Sequence, residues 1–308
     1  MKILSDTDIS MDTGLLESIN NKKEELDLKR PLPQDVLKNL LEDIRIRHTY
    51  DSNAIEGNTL TLAETKLVIE EGITIGGKPL KDHLEAKNNA EAFGLLLQLA
   101  KSKAAINHET IQKLHFLVTQ GILDDAGKYR TKNVRIQGSS YTPPDFSKII
   151  GLMDEYISAI KASKIHPVKA AVFAHYEFVK IHPFTDGNGR LARLLMNLYL
   201  MNHGYPPTVL HQGDRKKYYE TLHKADTGNI EPFANFIGKA IKEYLISFLS
   251  AFGGEYELIP LKELVEYSPY SHDYLGLRAR QGVLDSVKIN GKWHSSKKAL
   301  KDYYKKYR

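Results

Sequence analysis

Ile181-His182-Pro183-Phe184-Thr185-Asp186-Gly187-Asn188-Gly189-Arg190-Leu191-Ala192-Arg193 joins two apolar segments, and the fold turns on how it is read. Upstream, Val168 to Ile181 carries Ala170, Ala171, Val172, Phe173, Ala174, Phe178 and Val179; downstream, Leu194 to His203 is apolar on most sides. Helices that are hydrophobic all round belong in an interior, so both are central. Pro183 and the two glycines place the residues between them in a loop. The i, i+4 spacing of His182 and Asp186 is therefore not a helical zinc pair, and no other histidine forms a ligand pair with it. Gly187-Asn188-Gly189 follows a helix and lacks a third glycine, which excludes a dinucleotide fingerprint. What remains is a loop feeding a helix that starts near Gly189, whose free amides and positive dipole end make an anion cradle. Arg190 and Arg193 share one face of its first turn and can grip a polyphosphate. Asp186 can hold Mg²⁺ between phosphate oxygens, and His182 can take a proton from an attacking hydroxyl.

Outward from this loop the chain reads as helices: Leu15 to Leu28, a segment with Leu37, Leu40, Leu41 and Ile44 running to a stop at Gly57, Thr61 to Glu71, Lys81 to Lys101 and His108 to Gln120. Ile149 to Ala162, Arg215 to Lys224 and Pro232 to Ser250 complete an all-α array. Gly127 to Pro144 differs, with β-branched and aromatic residues between glycines, and reads as a hairpin. Glu56 stands at the C-terminal end of its helix, where the dipole disfavours a carboxylate by a few tenths of a kcal/mol or about that, unless solvent or a cation answers it.

After Phe252-Gly253-Gly254 the pattern is helix, turn, helix over Leu261 to Gln281, then a hairpin about Asn290-Gly291, then a basic helix capped by Ser296. This resembles a small winged helix-turn-helix, with Arg278, Arg280, Lys288 and Lys292 placed for phosphate contacts. The net charge of +5 is concentrated there: Ser271 to Arg308 holds ten Lys or Arg against three Asp, which leaves −2 for the remainder. The chain of 308 residues has no cysteine, so disulfides and thiolate metal sites are excluded. No apolar run is long enough to span a membrane, and the N-terminus turns acidic before a signal-peptide core could form. A cytoplasmic protein is expected.

His182-Pro183-Phe184-Thr185-Asp186-Gly187-Asn188-Gly189-Arg190, with Arg193 following, resembles the signature of the Fic family of nucleotide transferases at every fixed position, and the similarity spans about Ser52 to Tyr244. The resemblance implies an all-α core in which His182 activates a target hydroxyl to attack the α-phosphate of ATP. By the same resemblance Asp186 binds Mg²⁺ or Mn²⁺, and Gly187, Asn188, Gly189, Arg190 and Arg193 hold the phosphates. The hairpin of residues 129–144 is similar to the Fic flap, with Ile136, Gly138 and Ser139 near ATP and a target segment docking by strand addition. Arg215-Lys216-Lys217-Tyr218-Tyr219 resembles the segment bordering adenine, which makes Tyr218 and Tyr219 base contacts; Asp226 stands where some relatives have Asn. Ser52-Asn53-Ala54-Ile55-Glu56-Gly57 matches the Fic inhibitory pattern, in which the glutamate pairs with the second signature arginine, here Arg193.

The expected organisation is an N-terminal helical region (1–104) with an inhibitory helix at about 34–57, a catalytic core (105–250) and the C-terminal module (255–308). The leading expectation is a protein adenylyltransferase that moves AMP to a Ser, Thr or Tyr hydroxyl and is restrained by Glu56. Removal of AMP from a modified target, or a DNA-binding regulator carrying a Fic sensing module, are the alternatives. Expected partners are ATP, a target protein on the flap, DNA at the basic module and a second copy in a homodimer; no membrane is expected.

Overall fold

Two helices buried on nearly every side position the site, and three further helices of the same compact unit pack against them. The computed structural model describes residues 8–136 and 141–307. Its first ten α-helices are α1 (Thr13–Leu28), α2 (Gln34–Ile55), α3 (Leu62–Glu71), α4 (Leu80–Lys101), α5 (His108–Thr119), α6 (Ile149–Ala162), α7 (Pro167–Ile181), α8 (Asn188–Asn202), α9 (Arg215–Asp226) and α10 (Glu231–Ser250). The chain divides into two compact units, Met1–Leu15 with Leu41–Gly238, and Leu16–Leu40 with Lys239–Arg308.

In the first unit α7 and α8 pack along one another, α4 and α5 cover α8, α6 covers α7, and α3 lies on α4. Every residue of α8 from Leu191 to Leu200 is buried, the apolar ones and also Arg193 and Asn197. α7 begins where His166 Nδ1 accepts from the amide of Val168 (3.2 Å), with Pro167 filling the first helical position, which has no use for an N–H. It ends at His182, whose φ of 52° is left-handed and whose amide donates to Phe178 O (3.0 Å). Pro183 bars a right-handed helical conformation at the residue before it, so the helix stops there. A left-handed non-glycine costs about 1–2 kcal/mol, held in place here by the packing around it.

Residues 129–136 and 141–144 of the expected flap carry no strand, and 137–140 lie outside the described residues. What holds the two arms is side-chain chemistry. Buried Arg130 donates through Nη1 to Lys132 O (2.9 Å), through Nη2 to Pro144 O (2.5 Å) and through Nε to His182 O (2.9 Å). Asn133 donates to Asp145 Oδ2 (2.8 Å) and accepts from the amide of Phe146 (2.9 Å). These contacts, and the amide of Arg130 donating to Pro183 O (2.9 Å), tie both arms to the body without a strand ladder among the described residues.

The second unit contains a three-stranded antiparallel sheet, β1 (Ile259–Pro260), β2 (Ser286–Ile289) and β3 (Lys292–Ser295), ordered β1-β3-β2. The β2–β3 turn is Asn290-Gly291, both left-handed (φ 49° and 80°). Helices α11 (Leu261–Leu264), α12 (His272–Arg280) and α13 (Lys297–Tyr307) enclose a core of Leu264, Leu275, Leu284, Leu300 and Tyr303. The first helix of the expected helix-turn-helix is short, and its α-helical part gives way to a 3-10 turn over Val265–Tyr267. Strand β1 was not legible, because two residues ending in proline carry no alternation. Arg280, Lys288 and Lys292 are exposed, whereas Arg278 lies over the ring of Tyr274 (4.9 Å) and Lys301 pairs with Glu255 (2.8 Å).

Candidate active site

The loop between α7 and α8 is built by its own side chains. Asn188 clamps it at both polarities, accepting from Phe184 N (3.0 Å) and donating to Phe184 O (2.9 Å). Phe184 stacks on His115 of α5, with centroids 3.6 Å apart and planes 7° from parallel. The amide of Gly127 donates to His115 Nδ1 (2.9 Å), so Nε2 carries the proton and donates to Asp186 O (3.0 Å). Burial pushes this imidazole down to about 4, keeping it neutral in that role. Thr185 donates to Asp125 (3.0 Å). Gly187, at φ 78°, abuts Thr119 so closely that a Cβ would lie 2.9 Å from its methyl group. Neither conformation nor space admits a side chain there.

His182 lies half-buried at the head of the loop. Its Nδ1 faces Val179 O (3.1 Å), and a carbonyl only accepts, so Nδ1 holds the proton and Nε2 presents its lone pair. Burial lowers its pKa, with the Arg130 charge acting in the same direction against the Val179 hydrogen bond, Glu56 and Asp186. Asp186 is half-exposed. Its Oδ1 accepts from Gly187 N (2.6 Å), and Oδ2 lies 3.9 Å from both Lys81 Nζ and Arg190 Nη2. No group of three or more His, Asp or Glu side chains able to hold a metal occurs among the described residues. A single exposed carboxylate beside an anion cradle fits an ion that takes its other ligands from phosphate and water, which is the habit of Mg²⁺.

Both signature arginines are almost wholly buried, at 2% exposure for Arg190 and 1% for Arg193. Arg190 Nη1 lies 3.2 Å from Glu85 Oε1 without hydrogen-bond alignment, and its Nε has no partner. Arg193 donates from Nε to Ser52 Oγ (2.8 Å), and from Nη2 to Ser52 O (2.8 Å) and Glu56 Oε1 (2.7 Å), while Nη1 is buried without a partner. Burial, the largest influence, would lower the pKa of Arg193; the charge and hydrogen bond of Glu56 together with Tyr218 and Tyr219 outweigh it and hold the group above its ordinary value. Buried guanidinium N–H groups without acceptors are costly, and an anion with several oxygens is what satisfies them.

Glu56 occupies that ground itself. A Cβ built on Gly189 would collide with Glu56 Oε1, so the carboxylate lies against the first turn of α8, at the positive end of the helix. The carboxylate at the unfavourable end of α2 is thus at the favourable end of α8. Gly57, at φ 103°, turns the chain away, and Asn58 then donates to Glu85 Oε2 (2.9 Å) and Asp82 O (3.0 Å) of α4.

The structure brings His182, Asp186, Gly187, Asn188, Gly189, Arg190, Arg193, Ser52, Glu56 and Gly57 into one neighbourhood. Asn188 uses its side chain to shape the loop, which leaves its amide to face a ligand. Tyr218 is buried beneath Arg193, 6.0 Å from ring centre to guanidinium carbon, and meets His175 Nε2 through its hydroxyl (3.3 Å). Tyr219 is at the surface, with its hydroxyl 3.4 Å from Glu56 Oε2, and burial followed by the Glu56 charge raises it to about 12. Asp226 accepts from Tyr176 OH (3.3 Å), and burial raises its pKa. Ile136 is half-buried; Gly138 and Ser139 lie outside the described residues. Sequence reading missed His115, Arg130 and Asp125. None offered a local signal, since Arg130 stands among Lys128, Lys132 and Arg135.

Fold and site define a helical protein with an anion cradle at a loop-to-helix junction, a proton acceptor beside it, and a carboxylate of its own in the cradle. The Fic/DOC family matches residues 105–200. Protein adenylyltransferase Fic of Nematostella vectensis is 32% identical over 256 residues, covering 78% of this chain and 57% of that protein. Its namesake in Drosophila melanogaster is 34% identical over 257 residues, covering 82% and 51%. A variant Fic-1 fragment from C. elegans is 30% identical with a TM-score of 0.68, covering 77% of this chain and 72% of the fragment. The chain belongs to the Fic/DOC family. It spans about half the length of the curated relatives it matches. No helix among the described residues is long and apolar enough to cross a membrane.

Proposed function

We propose that this chain is a protein adenylyltransferase that transfers AMP from ATP to a protein hydroxyl and is restrained by Glu56. The observation that carries the reading is Arg193: a buried cation aimed at the cradle, with Ser52 and Glu56 on two of its nitrogens and a third nitrogen unpaired. In the reaction, His182 Nε2 accepts the proton of the target hydroxyl as its oxygen attacks the α-phosphorus. The bond to the bridging oxygen breaks, and pyrophosphate leaves. Arg190, Arg193 and the first amides of α8 hold the phosphates, and Asp186 would hold Mg²⁺, which neutralises phosphate charge when bound. A target segment would dock at the arms held by Arg130, by strand addition.

Glu56 excludes productive binding in two ways. It takes a donor of Arg193 that a phosphate needs, and its own charge repels phosphate from the first turn of α8. The test supplies ATP labelled at the α- or the γ-phosphate to wild type, Glu56→Gly and His182→Ala. Label is expected on protein from the α position only, strongest for Glu56→Gly and absent for His182→Ala. Protein labelled from the γ position would indicate a kinase-like reaction and refute the mechanism.

A further inference from the structure

Residues 211–219 hold the end of α2 through contacts that bypass Arg193. His211 Nδ1 donates to Asp51 Oδ2 (2.9 Å), and the amide of Gln212 donates to Asp51 Oδ1 (2.8 Å), both to a carboxylate that is 2% exposed. One turn further on, Arg215 Nε donates to Ile55 O (2.7 Å). Ile55 is the last residue of α2, so its carbonyl has no partner within the helix, and among the described residues no backbone amide reaches it in the turn that follows; the Tyr219 hydroxyl stands farther off, at 3.5 Å. A guanidinium there satisfies the orphan acceptor and sets a positive charge on the negative end of the helix. The same guanidinium covers the ring of Tyr219 (5.2 Å), and that hydroxyl reaches Glu56 Oε2 (3.4 Å).

These contacts fix a different property from the Arg193 pair. Arg193 attracts the carboxylate, whereas Arg215 determines where α2 stops and hence where residue 56 is carried. Sequence spacing supports the distinction. Arg215 and Tyr219 are i, i+4 on α9 and face the same end of α2. On the opposite side the strap after Gly57 is tied to α4 by Thr59 N to Asp82 Oδ2 (2.8 Å). The carboxylate is therefore guided between two anchors, and only the α9 anchor touches Glu56 itself.

We propose that Arg215 is a positioning residue: by capping α2 and backing Tyr219 it forms a second latch on the restraint, so that the enzyme can be released from α9 with Glu56 and Arg193 intact. The proposal rests on reading Glu56 as the restraint. It gives α9 a regulatory role distinct from phosphate binding, and any ligand or partner that draws Arg215 away from Ile55 becomes an activator.

The test compares Arg215→Ala, Arg215→Lys, Glu56→Gly and the Arg215→Ala/Glu56→Gly double variant with wild type in the full chain. Amide hydrogen exchange over residues 50–58 and turnover of α-labelled ATP are measured, with melting temperature as a check on folding. Loss of one charge-assisted hydrogen bond corresponds to about a 10-fold change in an opening equilibrium. Arg215→Ala is expected to speed exchange at 50–58 by about that factor, with α4 unchanged, and to raise kcat above wild type but below Glu56→Gly. Arg215→Lys, which keeps a donor and a charge, is expected to recover at least half the protection. The double variant should turn over no faster than Glu56→Gly. Unchanged exchange at 50–58 in Arg215→Ala overturns the latch, as does faster exchange with kcat at or below wild type while Glu56→Gly is activated. If Glu56→Gly is itself no faster than wild type, the reading of Glu56 as restraint fails. Exchange at 50–58 then still decides whether Arg215 caps α2.

Discussion

Replacing Glu56 by glycine removes the cradle's resident anion while Ser52 keeps its two bonds to Arg193. A hydrogen bond between charged groups contributes about 1.5–3 kcal/mol, and 1.4 kcal/mol is about one decade in an equilibrium constant. The Glu56 side chain is 32% exposed, so solvent already screens part of its attraction to Arg193, and the lower end of that range applies. Opening should therefore become about 10-fold more favourable, and turnover in the restrained enzyme should rise by a similar factor, since apparent activity follows the competent fraction. Glu56→Gln, with the shape but not the charge, should fall between. The assay is transfer of α-labelled phosphate to protein under single-turnover conditions, paired with melting curves at increasing pyrophosphate. Without Glu56 the buried Arg193 lacks its counter-charge, so the variant should melt lower alone and gain more from pyrophosphate than wild type. Equal turnover and equal pyrophosphate stabilisation in wild type and Glu56→Gly would refute the argument that the carboxylate occupies the phosphate ground.

Stability should fall on acidification. His115 is held neutral at about 4, and His48 and His175 at about 3, by burial, the latter two also by the Arg193 charge. Between these values and 6.5 the unfolded chain binds protons that the folded chain does not, so stability present above 6.5 is lost as pH drops toward 4; for His115 alone this is roughly 3 kcal/mol, readable in urea midpoints. His182→Ala should reduce transfer by about 10²- to 10⁴-fold with an unchanged far-ultraviolet spectrum. Leu195→Ala, in the fully buried face of α8, should cost about 2–5 kcal/mol in urea unfolding. Arg130→Ala should leave the helices intact but make residues 131–145 markedly more sensitive to limited proteolysis, because it removes the three side-chain bonds that tie the arms to each other and to His182 O.

Helices were legible wherever apolar spacing and terminal chemistry agreed. The helix expected from His108 ends at Thr119, and the one expected from Ile149 to Ala162 lies there in the structure. Asn290-Gly291 placed β2 and β3 because a primed turn demands left-handed residues that few sequences supply. The flap segment shows the limit of such reading. Its β-forming composition describes a backbone that can pair, yet pairing needs a partner strand at the right register, and the described arms are fixed by Arg130 and Asn133 instead. In the site, the residues proposed to act through identity, His182, Asp186, Arg190 and Arg193, are singled out by order and spacing, and the structure brings them to one loop. Those that act through position are not singled out. His115 lies 71 residues before the carbonyl it supports, and nothing in the run Lys113-Leu114-His115-Phe116 distinguishes a loop-bracing imidazole from an ordinary buried one.

The fate of Glu56 shows why a local penalty can mark a long-range contact. A carboxylate at a helix C-terminus is unfavourable by a few tenths of a kcal/mol or about that in isolation, small enough to ignore and small enough for tertiary contacts to override. Here α8 presents the opposite potential, Gly189 leaves room for the oxygen to come against its first turn, and Arg193 completes the site from beneath. The dipole of α8 and the charge of Arg193 act on any anion, whether a side chain of this protein or a nucleotide phosphate. Restraint and catalysis thus draw on the same electrostatic features, and strengthening the cradle for phosphate strengthens its hold on Glu56. Such a site cannot be released by tuning the cradle. On the proposed reading of Glu56 as the restraint, release comes from where α2 is anchored, and the contacts at Asp51, Ile55 and Asn58 become as consequential for activity as those of the arginines.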